Sequence, residues 1–385
     1  MKHLLFIFLS SITMVSTGQI KKHTDLNITW KEAAFLPATG NERSIGVAGP
    51  INGISNDVFI VAGGANFPAG MPWEGGAKAF HDEIFMLGKN GNDLAWNKAI
   101  KSKLPEPIAY CGVVSTGKGI VYAGGENASG ISDKVHLLHF DKEQNEVLVE
   151  SLARLPVALT NVAAAHIGNI IYLAGGDEKS RSSKRFISLD LNSANEQWQS
   201  LPDLPVELAN ASLIAMGKRL YLVGGRSKTD SGISDLHHTT FEYDFKSKTW
   251  ERRADICDAK DKTNWSASAG VAINDRYILM VGGDDGNTFH RIETLIRKIN
   301  TEDDASEKES LTAEKNSLVT GHTGFSKKLL LYDTKEDCWT TVGEYPFMTQ
   351  VTTNAVKWNN KIVVSNGEIK PGVRTPSIII GTIDN

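Results

Sequence analysis

The sequence predicts an all-β fold, a six-bladed β-propeller, and three observations carry that prediction. The chain has 35 glycines in 385 residues, more than a mainly helical protein would tolerate between its elements. An apolar strand that ends in a glycine pair recurs five times. A sixth, degenerate copy, IVVSNGE, lies near the C-terminus and has Gly367 at the position of the second glycine.

The spacing of the repeats indicates one propeller blade for each copy. The intervals between successive second glycines are 61, 51, 49 and 58 residues, at Gly64, Gly125, Gly176, Gly225 and Gly283. These lie near the ~50 residues of a kelch blade. After each pair come a loop, a further apolar strand, a tryptophan strand and commonly a Leu-Pro dipeptide. Four such short strands cannot bury their own faces, so we expect the sheets to stack radially.

The two ends of the chain are expected to share the sixth blade. Trp30 and Leu36-Pro37 form an outer strand with no inner strands before them, whereas the C-terminal strand SIIIGTI has no tryptophan strand after it. Residues near 27 to 33 therefore complete the sheet that the C-terminus begins. A seven-bladed ring would need a seventh glycine-pair strand, and none is found.

One long insertion lies between the glycine-pair strands of the fifth and sixth repeats. Here 84 residues separate Gly283 from Gly367, and most of the residues beyond the usual spacing lie at about 284–328. Four apolar residues in this insertion have the i, i+3, i+4, i+7 spacing of a short amphipathic helix, which we expect to pack on the propeller: Ile292, Leu295, Ile296 and Ile299. The charged stretch TEDDASEKESLTAEK that follows is interpreted as a solvated loop tip. Whether the insertion closes over a site is left open.

The N-terminus has the pattern of a signal peptide. A basic start is followed by an apolar run from Leu4 to Val15 and small residues before Lys21. We therefore predict a signal peptide at 1–18 and a propeller at 19–385 that is exported to the periplasm. The run is shorter than the ~20 apolar residues of a membrane span. A buried N-terminal strand is the alternative interpretation.

Composition argues against several function classes. The formal charge of -4 offers no long-range attraction for nucleic acid or an anionic membrane. Only three cysteines occur, widely separated, so no disulfide framework is indicated. No metal site is predicted, because the histidines and cysteines lack ligand spacing. Gly-x-Ser-x-Gly and phosphate-loop motifs are absent. The sequence does not indicate an oligomeric state.

The loops after the glycine pairs are expected to share one face and to line a small-molecule site there. In one of them Glu368 and Arg374 flank a Pro-Gly turn, which could bring both side chains to one pocket. The carboxylate of Glu368 is suited to proton transfer, and the planar guanidinium group of Arg374 is suited to binding a carboxylate ligand. A surface ion pair is the more ordinary interpretation of these two residues alone. In another loop, between Asn66 and Lys78, Trp73 offers an apolar wall and Glu74 a carboxylate.

The segments NGEIKPGVRT, GISNDVFIVAGGANFP, EGG-K at 74–78 and IAYCGVV followed by GGENASG resemble the sialic acid (N-acetylneuraminate) mutarotases, or epimerases, over nearly the whole mature chain. The resemblance implies an isomerase that converts the α-anomer of sialic acid to the β-anomer without a cofactor. It implies that Glu368 is the general base and that Arg374 binds the sugar carboxylate. Tyr110 or a water molecule would supply the acid. The remaining predicted substrate contacts are Asn66, Glu74, Lys78 and Tyr110.

The resemblance has departures, and it leaves rivals. The blade order looks cyclically permuted, because the equivalent of IYLAGG belongs to the first blade in the family and to the third here. Two arginines of the family pattern are Ile108 and Leu208 in this chain, so a different sugar acid is an alternative substrate. A non-catalytic kelch propeller that binds a glycan or a protein is the alternative function. The sequence boxes of sialidases are absent, and ligands for a copper oxidase site cannot be placed.

Overall fold

The computed structural model describes residues 26–38, 43–91, 93–194, 197–259 and 261–383, in which six four-stranded antiparallel sheets form. The predicted signal peptide lies outside these residues. Blades 1 to 3 have the strands Ile51–Ser55, Val58–Ala62, Ile84–Asn90 and Asp93–Trp96; Gly112–Thr116, Gly119–Ala123, Val135–Asp141 and Glu146–Ser151; and Ala163–Ile167, Ile170–Ala174, Phe186–Asp190 and Gln199–Ser200.

Blades 4 to 6 repeat this arrangement. Their strands are Ser212–Met216, Arg219–Val223, Thr240–Asp244 and Thr249–Arg252; Ala269–Ile273, Tyr277–Val281, Lys328–Asp333 and Cys338–Glu344; and Ala355–Trp358, Lys361–Ser365, Ser377–Ile383 and Ile28–Phe35. Short hairpins follow most of the glycine pairs: Ala65–Asn66 with Ala79–Phe80, Glu126–Asn127 with Gly130–Ile131, Arg226–Ser227 with Asp235–Leu236, and Glu368–Lys370 with Val373–Arg374. A further hairpin, Cys257–Asp258 with Asp261–Lys262, lies beside the outer strand of blade 5.

The six sheets close into a ring, because the first strand of each blade contacts the first strands of both neighbouring blades. Blade 6 is shared by the two ends of the chain. Its outer strand Ile28–Phe35 pairs antiparallel with Ser377–Ile383, from Ile28 opposite Ile383 to Phe35 opposite Ser377. The predicted six-bladed propeller and its closure by the N-terminal strand are therefore confirmed.

Six clusters of buried apolar side chains hold the ring together, one between each pair of adjacent blades. Between blades 3 and 4, for example, Phe186 packs edge-on against Tyr243 and Trp250, with ring centroids 4.8 and 4.9 Å apart. Side chains alternate between the two faces of a strand, and both faces of a blade meet a neighbour. The strands consequently read as nearly continuous apolar runs.

The glycine pairs let one blade approach the next. Gly124 has φ 66°, and a Cβ atom there would lie 2.1 Å from the carbonyl oxygen of Leu159 in the following blade. The amide of Gly125 donates to that same oxygen at 2.8 Å. A side chain at Gly124 would thus break both the backbone conformation and the contact between blades.

A closed ring of six backbone hydrogen bonds surrounds the central channel. Each amide donates to the carbonyl of the equivalent residue in the preceding blade, at 2.8 to 3.1 Å, through Gly49, Tyr110, Asn161, Asn210, Ala267 and Thr352. All six residues have φ between 52° and 61°. The left-handed conformation repeated in every blade turns these residues toward the channel, and it fixes the side chain of Tyr110 beside the loops that follow the glycine pairs.

The insertion in blade 5 forms two helices, α1 (Asn287–Thr301) and α2 (Ala305–Thr320), which pack against each other. The predicted amphipathic helix is confirmed by α1, in which Leu295 is buried and Glu293 accepts hydrogen bonds from Ser234 in blade 4. The interpretation of TEDDASEKESLTAEK as a loop tip is wrong. Asp304 caps α2 by accepting a hydrogen bond from the amide of Glu307 at 2.8 Å, and Leu311 is buried.

Candidate functional site

One position in each repeat faces the same end of the channel. In each repeat, the residue after the glycine pair forms an isolated antiparallel β-bridge. Its partner is the residue immediately before one of the six residues of the hydrogen-bonded ring, as in the bridge of Glu126 with Ala109, which precedes Tyr110. Around the ring these positions are Ala65, Glu126, Asp177, Arg226, Asp284 and Glu368. Five ionisable side chains from five blades are thereby brought to one mouth, above the ring.

Glu368 and Arg374 lie directly opposite each other in their hairpin. Gly372, at φ 80°, makes the tight turn between them. Nη1 of Arg374 lies 3.3 Å from Oε1 of Glu368, and the amide of Gly372 donates to the same oxygen at 2.6 Å. Within the described residues, Oε2 of Glu368 accepts no hydrogen bond. This carboxylate therefore has one oxygen held by the protein and one oxygen left for a ligand.

The guanidinium group of Arg374 is almost fully buried, with 5% of the side chain exposed. It lies 4.7 Å from the centre of the Phe67 ring, a stacking contact that suits the planar cation. Nε lies 3.4 Å from the carbonyl oxygen of Ala65, and Nη2 lies 3.5 Å from the hydroxyl oxygen of Tyr110. The fork is thus fixed in position before any ligand arrives.

Tyr110 and Lys78 form the next part of the wall. The ammonium group of Lys78 lies 5.2 Å from the centre of the Tyr110 ring and 3.1 Å from Oε1 of Glu126. Burial raises the pKa of Tyr110, although the nearby cations Lys78 and Arg374 oppose that effect. Tyr110 therefore stays a neutral phenol, able to donate a hydrogen bond.

Arg226, on the opposite side of the mouth, was missed in the sequence. Its Nη2 lies 2.7 Å from Oδ2 of Asp177, whose side chain is only 1% exposed. Asn161 of the backbone ring donates to the same oxygen at 3.3 Å. The repeat supplies the signal that could have found Arg226 and Asp177, because both occupy the same position after the glycine pair as Glu368.

Asp284 is a second missed residue at that repeat position. Burial raises its pKa to about 6, and the negative charges of Asp285 and Glu368 act in the same direction. The amide of Gly286 donates to its Oδ1 at 2.9 Å and opposes the shift. A carboxyl group in a cleft whose pKa is raised toward neutrality is typical of a functional site.

Two adjoining cavities open among these residues. The charged compartment, of about 410 Å³, is lined by Lys78, Tyr110, Glu126, Asn161, Arg226 and Arg374. The apolar compartment, of about 360 Å³, lies under the two helices and is lined by Trp73, Ile292, Val319, Phe325 and Asp284. Five residues line both: Pro72, Arg226, Phe289, Glu368 and Gly372. Glu368 therefore lies at the junction, where a ligand with an anionic end and a less polar body would span both compartments.

The structure brings four of the six predicted site residues together: Glu368, Arg374, Tyr110 and Lys78. The other two lie apart from both compartments. Asn66 is buried, donates to the carbonyl oxygen of Gly46 at 2.9 Å and contacts His81. Glu74 is exposed and accepts from the amide of Met71 at 3.0 Å, at the end of the short 3₁₀ helix Pro72–Glu74. Their side chains thus hold loops in place, and their substrate contacts stay predictions.

The two positions where arginines were expected are core positions. Ile108 is 2% exposed and Leu208 is 1% exposed. Both precede residues of the backbone ring and pack in the clusters between blades. Within the described residues, no group of three or more His, Cys, Asp or Glu side chains could hold a metal ion, and neither helix is long and apolar enough to cross a membrane.

Comparison with known proteins gives one consistent description. A family model described as N-acetylneuraminate epimerase matches residues 12–147 and 152–385. A protein of that name from Vibrio vulnificus (strain YJ016) is 31% identical over 159 residues, which cover 36% of this chain and 40% of the relative. One from Pasteurella multocida (strain Pm70) is 36% identical over 116 residues, 27% of this chain and 29% of the relative. The matched segments thus span less than half the length of these relatives.

A solved structure titled "Structure of YjhT" is similar over 92% of this chain and 99% of that chain, with a TM-score of 0.61. The two sequences are 16% identical over the match. A likeness at that level of identity supports the propeller fold and carries no argument about chemistry.

Proposed function

Because the chain belongs to the N-acetylneuraminate epimerase family, we propose that it is an isomerase that interconverts the α- and β-anomers of N-acetylneuraminate. The reaction opens the hemiketal ring and closes it on the other face, so only protons need to be moved. The observation that supports this best is the pair formed by Glu368 and Arg374, in which a base with one free oxygen lies beside a cation suited to the sugar carboxylate.

In this proposal Arg374 binds the substrate carboxylate. Its planar fork can address both oxygens of a carboxylate, and burial against Phe67 restricts its motion before binding. Two further cations line the same compartment, Lys78 paired with Glu126 and Arg226 paired with Asp177. With the carboxylate held there, the adjacent anomeric carbon comes close to Glu368 at the junction of the compartments.

Glu368 acts as the general base for the anomeric hydroxyl group. Oε1 is held by Gly372 and Arg374, which fixes the orientation of the carboxylate and leaves Oε2 to take the proton. A positioned base of this kind contributes about 10²–10⁴-fold to a rate. No cofactor is needed for the step.

Two substitutions test these roles separately. Glu368→Gln keeps the shape and removes the base, so kcat should fall ~100-fold or more while KM changes little. Arg374→Lys keeps the charge and loses the fork, so it should mainly raise KM. The assay follows anomerically pure α-sialic acid by NMR against an enzyme-free sample at the same pH, because the sugar also mutarotates spontaneously.

Lys370→Gln is the matched control, since Lys370 lies in the same hairpin and lines neither compartment. Wild-type turnover by the Glu368→Gln variant would show that the base is wrongly assigned. Binding of the sugar by the wild-type protein with no acceleration over the enzyme-free rate would favour the alternative function, a propeller that binds a glycan without changing it.

A further inference from the structure

Asp284 and Glu368 come from neighbouring blades and line the same cavity. Each follows the glycine-pair position of its repeat, Asp284 after the strand Tyr277–Val281 and Glu368 after the strand Lys361–Ser365. Both line the apolar compartment, which adjoins the charged compartment that Arg374 lines. A ligand held at the junction would therefore meet two carboxyl groups.

The two carboxyl groups differ in the hydrogen bonds and charges around them. Oε1 of Glu368 lies 3.3 Å from the guanidinium group of Arg374 and accepts a hydrogen bond from the amide of Gly372 at 2.6 Å. Asp284 has one backbone amide at 2.9 Å and, among the described residues, no ion pair. Burial raises the pKa of Asp284 to about 6, and the charge of Glu368 adds to that effect.

Other charged groups around Asp284 do not reverse this difference. Asp285 lies beside it in sequence and is negative. Arg226, Lys315 and His322 line the same compartment from blade 4, from α2 and from the segment after α2. Burial and the nearby Lys370 lower the pKa of His322, so that ring stays neutral at neutral pH. None of these three groups forms an ion pair with Asp284 within the described residues.

We infer that Asp284 is the acid partner of Glu368 and donates the proton that the ring oxygen of the sugar needs when the hemiketal opens. The inference rests on the proposed function, the interconversion of the two anomers. Two carboxyl groups in one site with different surroundings are a common arrangement for acid and base roles. The phenol of Tyr110, whose pKa burial raises, then serves to position the substrate carboxylate beside Arg374.

The step balances with these two groups alone. As Oε2 of Glu368 takes the anomeric hydroxyl proton, the electron pair of that O–H bond forms the C2=O bond. The bond between C2 and the ring oxygen breaks, and the ring oxygen keeps its electron pair and takes the proton of Asp284. The products are the open-chain keto acid, a protonated Glu368 and an ionised Asp284.

Ring closure reverses these transfers on the other face. After rotation about the C2–C3 bond, Asp284 takes the proton of the attacking hydroxyl group as its oxygen bonds to C2. Glu368 returns its proton to the ketone oxygen. Both carboxyl groups end in the state in which they began, and no electrons enter or leave.

The test compares Asp284→Asn with Asp285→Asn in the NMR assay. Asparagine can still accept the hydrogen bond from Gly286, so the turn before α1 is kept, but it cannot donate the carboxyl proton. Asp285 is the matched control, because it also accepts backbone and side-chain hydrogen bonds in this turn, from Asn287, and lines neither compartment. We expect kcat to fall ~100-fold for Asp284→Asn and to change far less for Asp285→Asn, whose charge acts only on the pKa of Asp284.

The pH profile gives a readout that loss of structure would not produce. For the wild-type protein, kcat/KM should fall about tenfold per pH unit above a pH of about 6, and this limb should be absent in Asp284→Asn. A wild-type profile without the limb overturns the inference even if the variant does not fold. Wild-type turnover by Asp284→Asn also overturns the inference, and inactivity of Tyr110→Phe would strengthen that conclusion. The proposed function stands in either case. A wild-type protein with no acceleration removes the proposed function, and this inference with it.

Discussion

Asp284→Asn is expected to stabilise the folded protein at neutral pH, although it should slow the reaction. In the folded state burial holds the pKa of Asp284 at about 6, against an ordinary value of 3.8. The folded wild-type protein therefore binds this proton more tightly than the unfolded chain does. Its contribution to stability is fully present below pH 3.8 and is lost as the pH rises through about 6.

The size of the effect follows from the difference between the two pKa values. It corresponds to about 3 kcal/mol of unfolding free energy at pH 7 to 8. Solvent that reaches the carboxyl group lowers this free energy. With an unfolding entropy of about 2.1 cal/mol/K per residue, a 385-residue chain changes its Tm by roughly 4 °C for that free energy. Asparagine does not titrate and keeps the hydrogen bond from Gly286, so the variant escapes the loss.

The measurement is the Tm of the wild-type protein, Asp284→Asn and Asp285→Asn across pH 4 to 8. The gain of Asp284→Asn over the wild-type protein should be near zero at pH 4 and grow to its full value above pH 6. Asp285→Asn should show no such growth. A gain that is equal at both ends of the range, or absent at pH 8, would refute the view that burying the ionised form of Asp284 costs stability.

Two further predictions concern the ends of the chain. Deleting the chain through Pro37 should lower the Tm by at least about 5 °C, because the pairing of Ile28–Phe35 with the C-terminal strand is lost. The burial of Trp30 and Leu36 is lost with it, and that burial contributes roughly 4 kcal/mol to the free energy of unfolding. Unchanged thermal unfolding would argue against closure of the ring by the N-terminal strand. The exported protein should begin near Gln19 by mass spectrometry, whereas a full-length chain with Met1 retained in the cytoplasm of the native host would contradict the signal peptide.

The fold could be predicted because its constraint is local and repeated. A strand that must end in left-handed backbone against the next blade needs glycines, as at Gly124 and Gly125. Five clear copies fix the period, and the degenerate copy at Gly367 brings the number of blades to six. The helix α2 could not be predicted in this way. It carries no periodic apolar stripe, and it is stabilised by the cap at Asp304 and by packing against α1.

The site was predictable in the part that one loop contains. Glu368 and Arg374 are six residues apart, and the turn at Gly372 is enough to place them side by side. Arg226 and Asp284 come from other blades, so only ring closure brings them to Glu368. Asn66 hydrogen-bonds to His81 and to the backbone of Gly46, partners that the sequence does not reveal, and its substrate contact stays a prediction.

The ring of backbone hydrogen bonds under both compartments has an electrostatic consequence. A helix ends in unpaired amides and carbonyls, and its aligned peptide dipoles give it a positive and a negative end. The circle through Gly49, Tyr110 and their four equivalents has no end, and every amide in it has a partner. Its dipoles run tangentially around the channel and cancel across the circle. The potential at the mouth is therefore set by side chains such as Arg374 and Asp284, and a substitution among them changes it without compensation from the backbone ring.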